Sequence, residues 1–98
     1  MPTDIPDDVS LDDIRATIDT LDRRIVAHLA QRQQWVVAAG ALKANEQAVR
    51  APARVEQVIA KVRGFAEEEG ASPEVVERAY RALIAAFIDL ELAQHREA

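Results

Sequence analysis

The sequence predicts an all-α protein, and three observations carry that prediction. Ala, Leu, Val, Ile, Glu, Arg and Gln dominate the composition, while glycine occurs three times and proline four times, a mixture that favours helix. Apolar residues recur at three- and four-residue steps, the period of one helix face. Aromatic residues make up only 4 % of the chain, and few β-branched runs or turn pairs compete with the helical pattern. With 98 residues the chain is expected to hold one domain and one small core.

Residues 1–9 read as a flexible leader, because Pro2 and Pro6 with Asp4, Asp7 and Asp8 leave little apolar material to repay ordering entropy. Residues 10–98 form the helical domain. Ser10 reads as an N-cap with Asp12 and Asp13 in an acidic first turn. From Leu11 the positions Ile14, Ile18, Leu21, Ile25 and Leu29 share a face, which Val36, Ala39 and Leu42 continue, and the run is expected to end near Ala44 or Asn45. Asn45 to Ala51 is polar and is expected to be a loop. Pro52 opens a second helix with Val55, Val58, Ile59, Val62, Phe65 and Ala66 inward, stopped by Gly70. Ser72-Pro73-Glu74 restarts a third helix that turns Val76, Ala79, Tyr80, Leu83, Ile84, Phe87, Ile88 and Leu92 inward and fades into Gln94-His95-Arg96-Glu97.

The first helix has a consequence for assembly. Some 34 residues at ~1.5 Å each make a rod of roughly 50 Å, against about 30 Å for a compact globule of this size. One chain cannot cover that rod, so the expected assembly is an intertwined homodimer of three-helix subunits.

Composition excludes several function classes. Seventeen acidic against twelve basic residues give a formal charge of -5, which disfavours nucleic acid as a partner. The chain has no cysteine, so disulfides, thiolate nucleophiles and Cys-ligated metals are out. No apolar run approaches the ~20 residues of a membrane span, and the acidic start does not resemble a secretory signal. The expected location is the cytoplasm, with no membrane partner. His28 and His95 lack ligand partners at metal spacing and are expected to be ordinary, Trp35 is expected to serve packing, and no metal or cofactor is expected. There is no phosphate-binding glycine loop and no Ser-His-Asp set.

Charged residues on apolar faces stand out, because burial of a charge is costly without a partner. Arg32 follows Ile25 and Leu29 on the inner face of the first helix. Lys43 lies eleven positions later, three turns plus about 20°, so the two side chains point the same way. Glu91 follows Tyr80, Ile84 and Phe87 on one face of the third helix. Arg54 stands beside the loop at the start of the second helix. Arg15 is rotated by about 260° and set roughly 25 Å along the axis from Arg32, so it can serve only a neighbouring subunit's pocket. The set describes a cation-rich pocket with one acid, suited to a small dianion. A dimeric helical interaction module, in which Arg32, Lys43 and Glu91 form interhelical ion pairs, fits the same positions.

The ordered pattern Leu11-x-x-Ile14-Arg15-x-x-Ile18-Asp19-x-Leu21-Asp22, Leu29-x-x-Arg32, Ala41-Leu42-Lys43, Ala51-Pro52-x-Arg54-Val55 and Ile88-x-x-Glu91 resembles the all-helical chorismate mutases and their relatives, the isochorismate-pyruvate lyases. The resemblance runs from Leu11 to His95 and implies an intertwined dimer of three-helix subunits with two equivalent sites and no cofactor. By that resemblance Lys43, Glu91 and Arg32 are the catalytic set: Lys43 bonds the ether oxygen and a carboxylate, Glu91 faces the ether oxygen, and Arg32 clamps a carboxylate. Arg15 would reach in from the other subunit, and Arg54, Ala39, Val55, Ile84 and Phe87 would complete the substrate-binding wall. Family members carry Gln or Glu at the position of Glu91, and a glutamate suits the role only when protonated.

The implied activity is the rearrangement of chorismate to prephenate, with cleavage of isochorismate to salicylate and pyruvate as the alternative. Glu91 is a mutase-type choice. Val55, where mutases commonly carry an acid, and the Ala-Pro-x-Arg-Val string look like the lyase branch. Aminodeoxychorismate is a third, smaller possibility as substrate.

Overall fold

The computed structural model describes residues 4–97; Met1 to Thr3 of the expected leader and Ala98 at the end of the expected domain lie outside the described residues. The elements are α1 (Leu11–Ala41), α2 (Glu46–Arg50), α3 (Pro52–Glu69) and α4 (Pro73–Glu97), and no strand occurs among the described residues. The protein is all-α, as its periodicity requires. Three long helices stand where the stripes place them, and α2 is an addition. The chain divides into two compact units, Met1–Trp35 and Val36–Ala98.

The first unit consists of the leader and most of α1. Ser10 and Asp13 cap α1 reciprocally: Ser10 Oγ accepts from the Asp13 N–H at 3.1 Å and Asp13 Oδ2 accepts from the Ser10 N–H at 3.4 Å, satisfying donors that no helical carbonyl can reach. Thr17 and Thr20 return their hydroxyls to the carbonyls of Asp13 and Ala16, so their polar atoms are served within the helix. Along the apolar stripe Ile14 and Leu29 are half-buried, but Ile18, Leu21 and Ile25 stay about half exposed in the single chain. Trp35, expected to serve packing, is 77 % exposed.

The second unit carries the core. α1 ends at Ala41, earlier than expected, with the Leu42 N–H bonded to the Ala39 carbonyl and the Lys43 N–H to the Gly40 carbonyl, the tighter i to i−3 pattern of a last turn. Leu42, which the stripe would turn inward, is therefore 89 % exposed. The physical reason lies in Asn45, whose extended backbone breaks the helix and whose Oδ1 accepts from the Ala48 N–H at 2.9 Å. It caps α2 instead of ending α1. The expected loop from Asn45 to Ala51 is thus mostly a single helical turn, anchored by the buried Val49. Five residues are too few to show a periodic stripe.

Ala51 joins α2 to α3 in a left-handed conformation at φ 35°, which costs an L-residue about 1–2 kcal/mol. Pro52 follows in the first turn of α3, where its missing N–H is no loss. At the other end Gly70 takes φ 75°, with its N–H on the Glu67 carbonyl and the Ala71 N–H on the Ala66 carbonyl, a Schellman stop that glycine makes cheap. Ser72 then caps α4 by accepting from the Val75 N–H at 3.3 Å.

α3 and α2 both pack on α4. The buried apolar side chains are Val49 of α2, Ile59, Val62 and Ala66 of α3, and Ile84 and Leu92 of α4. Each of the larger ones contributes of order 1.5–3 kcal/mol when removed from water. Two inward assignments in α3 and α4 fail. Phe65 is 57 % exposed because it sits 100° from Ala66, off the stripe defined by Ile59, Val62 and Ala66; Ala79, 140° from Ile84, is exposed for the same reason. Among the described residues no helix is long and apolar enough to cross a membrane.

Ion pairs lace the outer edges of this unit. Arg81 of α4 forms a two-pronged bond to Glu56 of α3, with both contacts at 2.9 Å, and a third to Glu77 at 2.8 Å. Glu77 also accepts from Arg63 of α3 at 2.8 Å, and Arg96 of α4 donates to Glu46 of α2 at 2.8 Å. Hydrogen bonds from these guanidinium groups hold the Glu46, Glu56 and Glu77 carboxyls below their ordinary value of 4.5. The contribution is therefore fully present above that value and is lost as pH falls through the lowered ones. Stability should drop as pH falls below about 4.5, by less in high salt because the pairs are exposed. Urea melts of wild type and Arg81→Ala across that range check the prediction: the variant should show a shallower acid loss, and parallel curves would contradict it.

Candidate active site

Lys43 lies two residues past the end of α1, in the four-residue connection to α2. A cation at a helix C-terminus is favoured by the unsatisfied carbonyls there. Its ammonium donates to Glu91 Oε2 at 3.0 Å. Its carbonyl accepts from His95 Nε2 at 2.9 Å, and since a carbonyl can only accept, that nitrogen carries the proton. Both ends of Lys43 are thus held from α4, by residues one helical turn apart on the same face.

Glu91 is the one charged residue that is buried among the described residues, at 7 % exposure. A carboxylate in that setting needs a cation close by, and Lys43, whose side chain is 26 % exposed, supplies it from the wetter side. The carboxylate also lies against the backbone of α1 at Gly40. A methyl group there would stand 3.2 Å from Glu91 Oε2 and 3.4 Å from its Cγ, so glycine makes room for the acid at a position where it weakens a helix by roughly 0.5–1 kcal/mol.

Beside Glu91 lies a cavity of about 250 Å³ lined by Val37, Gly40 and Ala41 of α1 and by Glu91, Gln94 and His95 of α4. An apolar wall with a few convergent polar groups is what a small-molecule site needs. Among the described residues no three or more His, Asp or Glu side chains gather as they would around a metal ion.

Of the residues singled out in the sequence, Lys43 and Glu91 come together. Arg54 is exposed in the first turn of α3 and donates to Gln57 at 2.7 Å. Arg32, half-buried, and Arg15, exposed, belong to the first unit. Ala39 is exposed, Val55 and Phe87 are half-buried and Ile84 is buried; the wall of this cavity is made by other residues. Five lining residues, Val37, Gly40, Ala41, Gln94 and His95, are not among the sequence-derived site residues, and two of them carry a signal. His95, which lacks metal-ligand spacing, stands four residues after Glu91 and so on the same face. Gly40 gave the signal of a glycine inside a helical stripe, a frequent mark of close approach.

The chain is 36 % identical over 93 residues to an isochorismate pyruvate lyase of Pseudomonas aeruginosa, an alignment covering 94 % of this chain and 92 % of that protein. The profile of the family described as chorismate mutase type II matches residues 14–92. Since that match takes in both partners of the Lys43–Glu91 pair and all of the core, this chain belongs to the chorismate mutase type II family.

Proposed function

We propose that the chain binds a small dicarboxylate of the chorismate type and converts chorismate to prephenate without a cofactor or a covalent intermediate. The observation that carries this reading is the Lys43 ammonium, fixed at 3.0 Å by a carboxylate that itself lines the cavity. An ammonium has three donors. Glu91 engages one, which leaves two for an ether oxygen and a carboxylate of the substrate. In the rearrangement the ether C–O bond breaks ahead of C–C formation, negative charge grows on that oxygen, and a preoriented donor lowers the barrier. Arg32 clamps a carboxylate and Arg15 enters from a second copy of the chain, while Arg54, Ala39, Val55, Ile84 and Phe87, which stand outside the cavity of the single chain, would bound the substrate only in the assembled dimer. Holding the dianion in a compact conformer removes freedom that the reaction would otherwise have to lose.

A second reading has its own support. Cleavage of isochorismate to salicylate and pyruvate breaks the same ether bond, with a ring hydrogen passing to the enolpyruvyl methylene carbon. The 36 % identity to an isochorismate pyruvate lyase over nearly the whole chain favours it, as does Val55 at the position where mutases commonly carry an acid. Both reactions draw on the same cations.

The half-exposed stripe of Ile18, Leu21 and Ile25 supports the intertwined homodimer, because apolar surface of that extent gains by being covered. Arg15 and Lys43 of one site then come from different subunits.

Chorismate and isochorismate supplied separately should distinguish the two readings, by prephenate or by salicylate in the product. Neither product, together with no rise in Tm from a dicarboxylic transition-state mimic, would leave the interaction module in which Lys43 and Glu91 only pair. Lys43→Ala should lose about 10²–10³-fold in turnover, the usual effect of removing one preorganised donor; near-normal turnover would remove Lys43 from the reaction.

Sedimentation equilibrium should give twice the 10.8 kDa chain mass. Mixing Arg15→Ala with Lys43→Ala protomers should restore activity, since each mixed dimer then holds one intact site. A monomeric mass, or a mixture no more active than its parts, would contradict the shared site.

A further inference from the structure

We infer that His95 is a positioning residue, one that acts through Lys43 by fixing the backbone of the α1–α2 connection. The inference rests on the activity proposed above, and three observations carry it. His95 Nε2 donates to the Lys43 carbonyl at 2.9 Å across 52 residues of sequence. That carbonyl lies past the end of α1, beyond the reach of regular helical bonding. His95 is half-buried and lines the same cavity as Glu91. The Lys43–Glu91 bond alone fixes an ammonium at the end of a flexible four-carbon stem. The His95 bond fixes the root of that stem. Lys43 is thereby held at both ends by one rigid helix face, and the orientation of its two remaining donors follows from the geometry of α4.

Arg96, the next residue, donates to Glu46 at 2.8 Å in the first turn of α2. The last turn of α4 therefore ties the connection at Lys43 and just beyond it. The bonds differ in kind. Arg96 and Glu46 are both exposed and form a pair that salt screens. The histidine bond is part-buried and aimed at the backbone of the reacting residue itself. The polar tail of α4 is on this account part of the site's support, although it looks in the sequence like a fraying end.

The test compares His95→Gln, which keeps an amide N–H near the place of Nε2, with His95→Phe, which keeps a ring and loses the donor. His95→Asn, polar but too short to reach, serves if the Phe variant does not fold. Two readouts are taken on the full chain: kcat and KM with chorismate and isochorismate, and amide hydrogen exchange of residues 42–46. We expect His95→Phe to lower kcat about tenfold or more with a smaller change in KM, as misplacement of a donor does, and to speed exchange in the connection. His95→Gln should keep most of the turnover and the slow exchange. Equal behaviour of the Gln and Phe variants, or Phe exchange and turnover like wild type, would overturn the role. If wild type turns over neither substrate, the proposed function fails by itself, while the exchange comparison still decides whether His95 holds the connection.

Discussion

A carboxylate on an aliphatic helix face has few ways to exist, and Glu91 meets the requirement with one close cation and one missing side chain. Lys43 supplies the charge at 3.0 Å, and Gly40 supplies the space. The rest of the second unit can be understood as what brings these three together. α1 must end at Ala41 so that Lys43 leaves the helix, Asn45 must cap a new turn so that the chain reverses, and the α2–α4 and α3–α4 packing must hold the Glu91 face in place. Charge burial is tolerated here because every feature around it is arranged for the pair.

The support of the candidate site is uneven. The apolar core of Ile59, Val62, Ala66, Ile84 and Leu92 gives α3 and α4 a rigid relation, whereas the connection that carries Lys43 is short, irregular and tied by a few polar bonds. Loops positioned by a rigid scaffold are where reactive groups commonly sit. The exposed ion pairs of Arg63, Arg81 and their glutamates lie on the edges of that scaffold and add modest stability, with no part in the pocket.

α1 shows a different constraint. Its stripe is regular enough to form a helix of 31 residues, yet Ile18, Leu21, Ile25 and Trp35 remain in water in the single chain. Apolar side chains spaced for burial and left uncovered ask for a partner surface, and the proposed second copy would supply both that surface and Arg15.

Much was legible in the sequence because it depends on neighbours along the chain. Periodicity and capping placed the starts of three helices at Leu11, Pro52 and Pro73 and the stop at Gly70, since caps and stripes are local interactions within one or two turns. Lys43 and Glu91 were visible as charges on apolar faces. The short α2, the early end of α1 and the exposure of Phe65 were not, because each is decided by competition between elements: Asn45 could cap or extend, and only the packed core decides which edge of a stripe is buried. The sequence by itself determined an all-α chain with charged misfits. Only the tertiary structure decided that Glu91 pairs with Lys43, that Gly40 makes room for it and that His95 holds the backbone beside it, because those contacts join residues roughly fifty positions apart that no local rule relates.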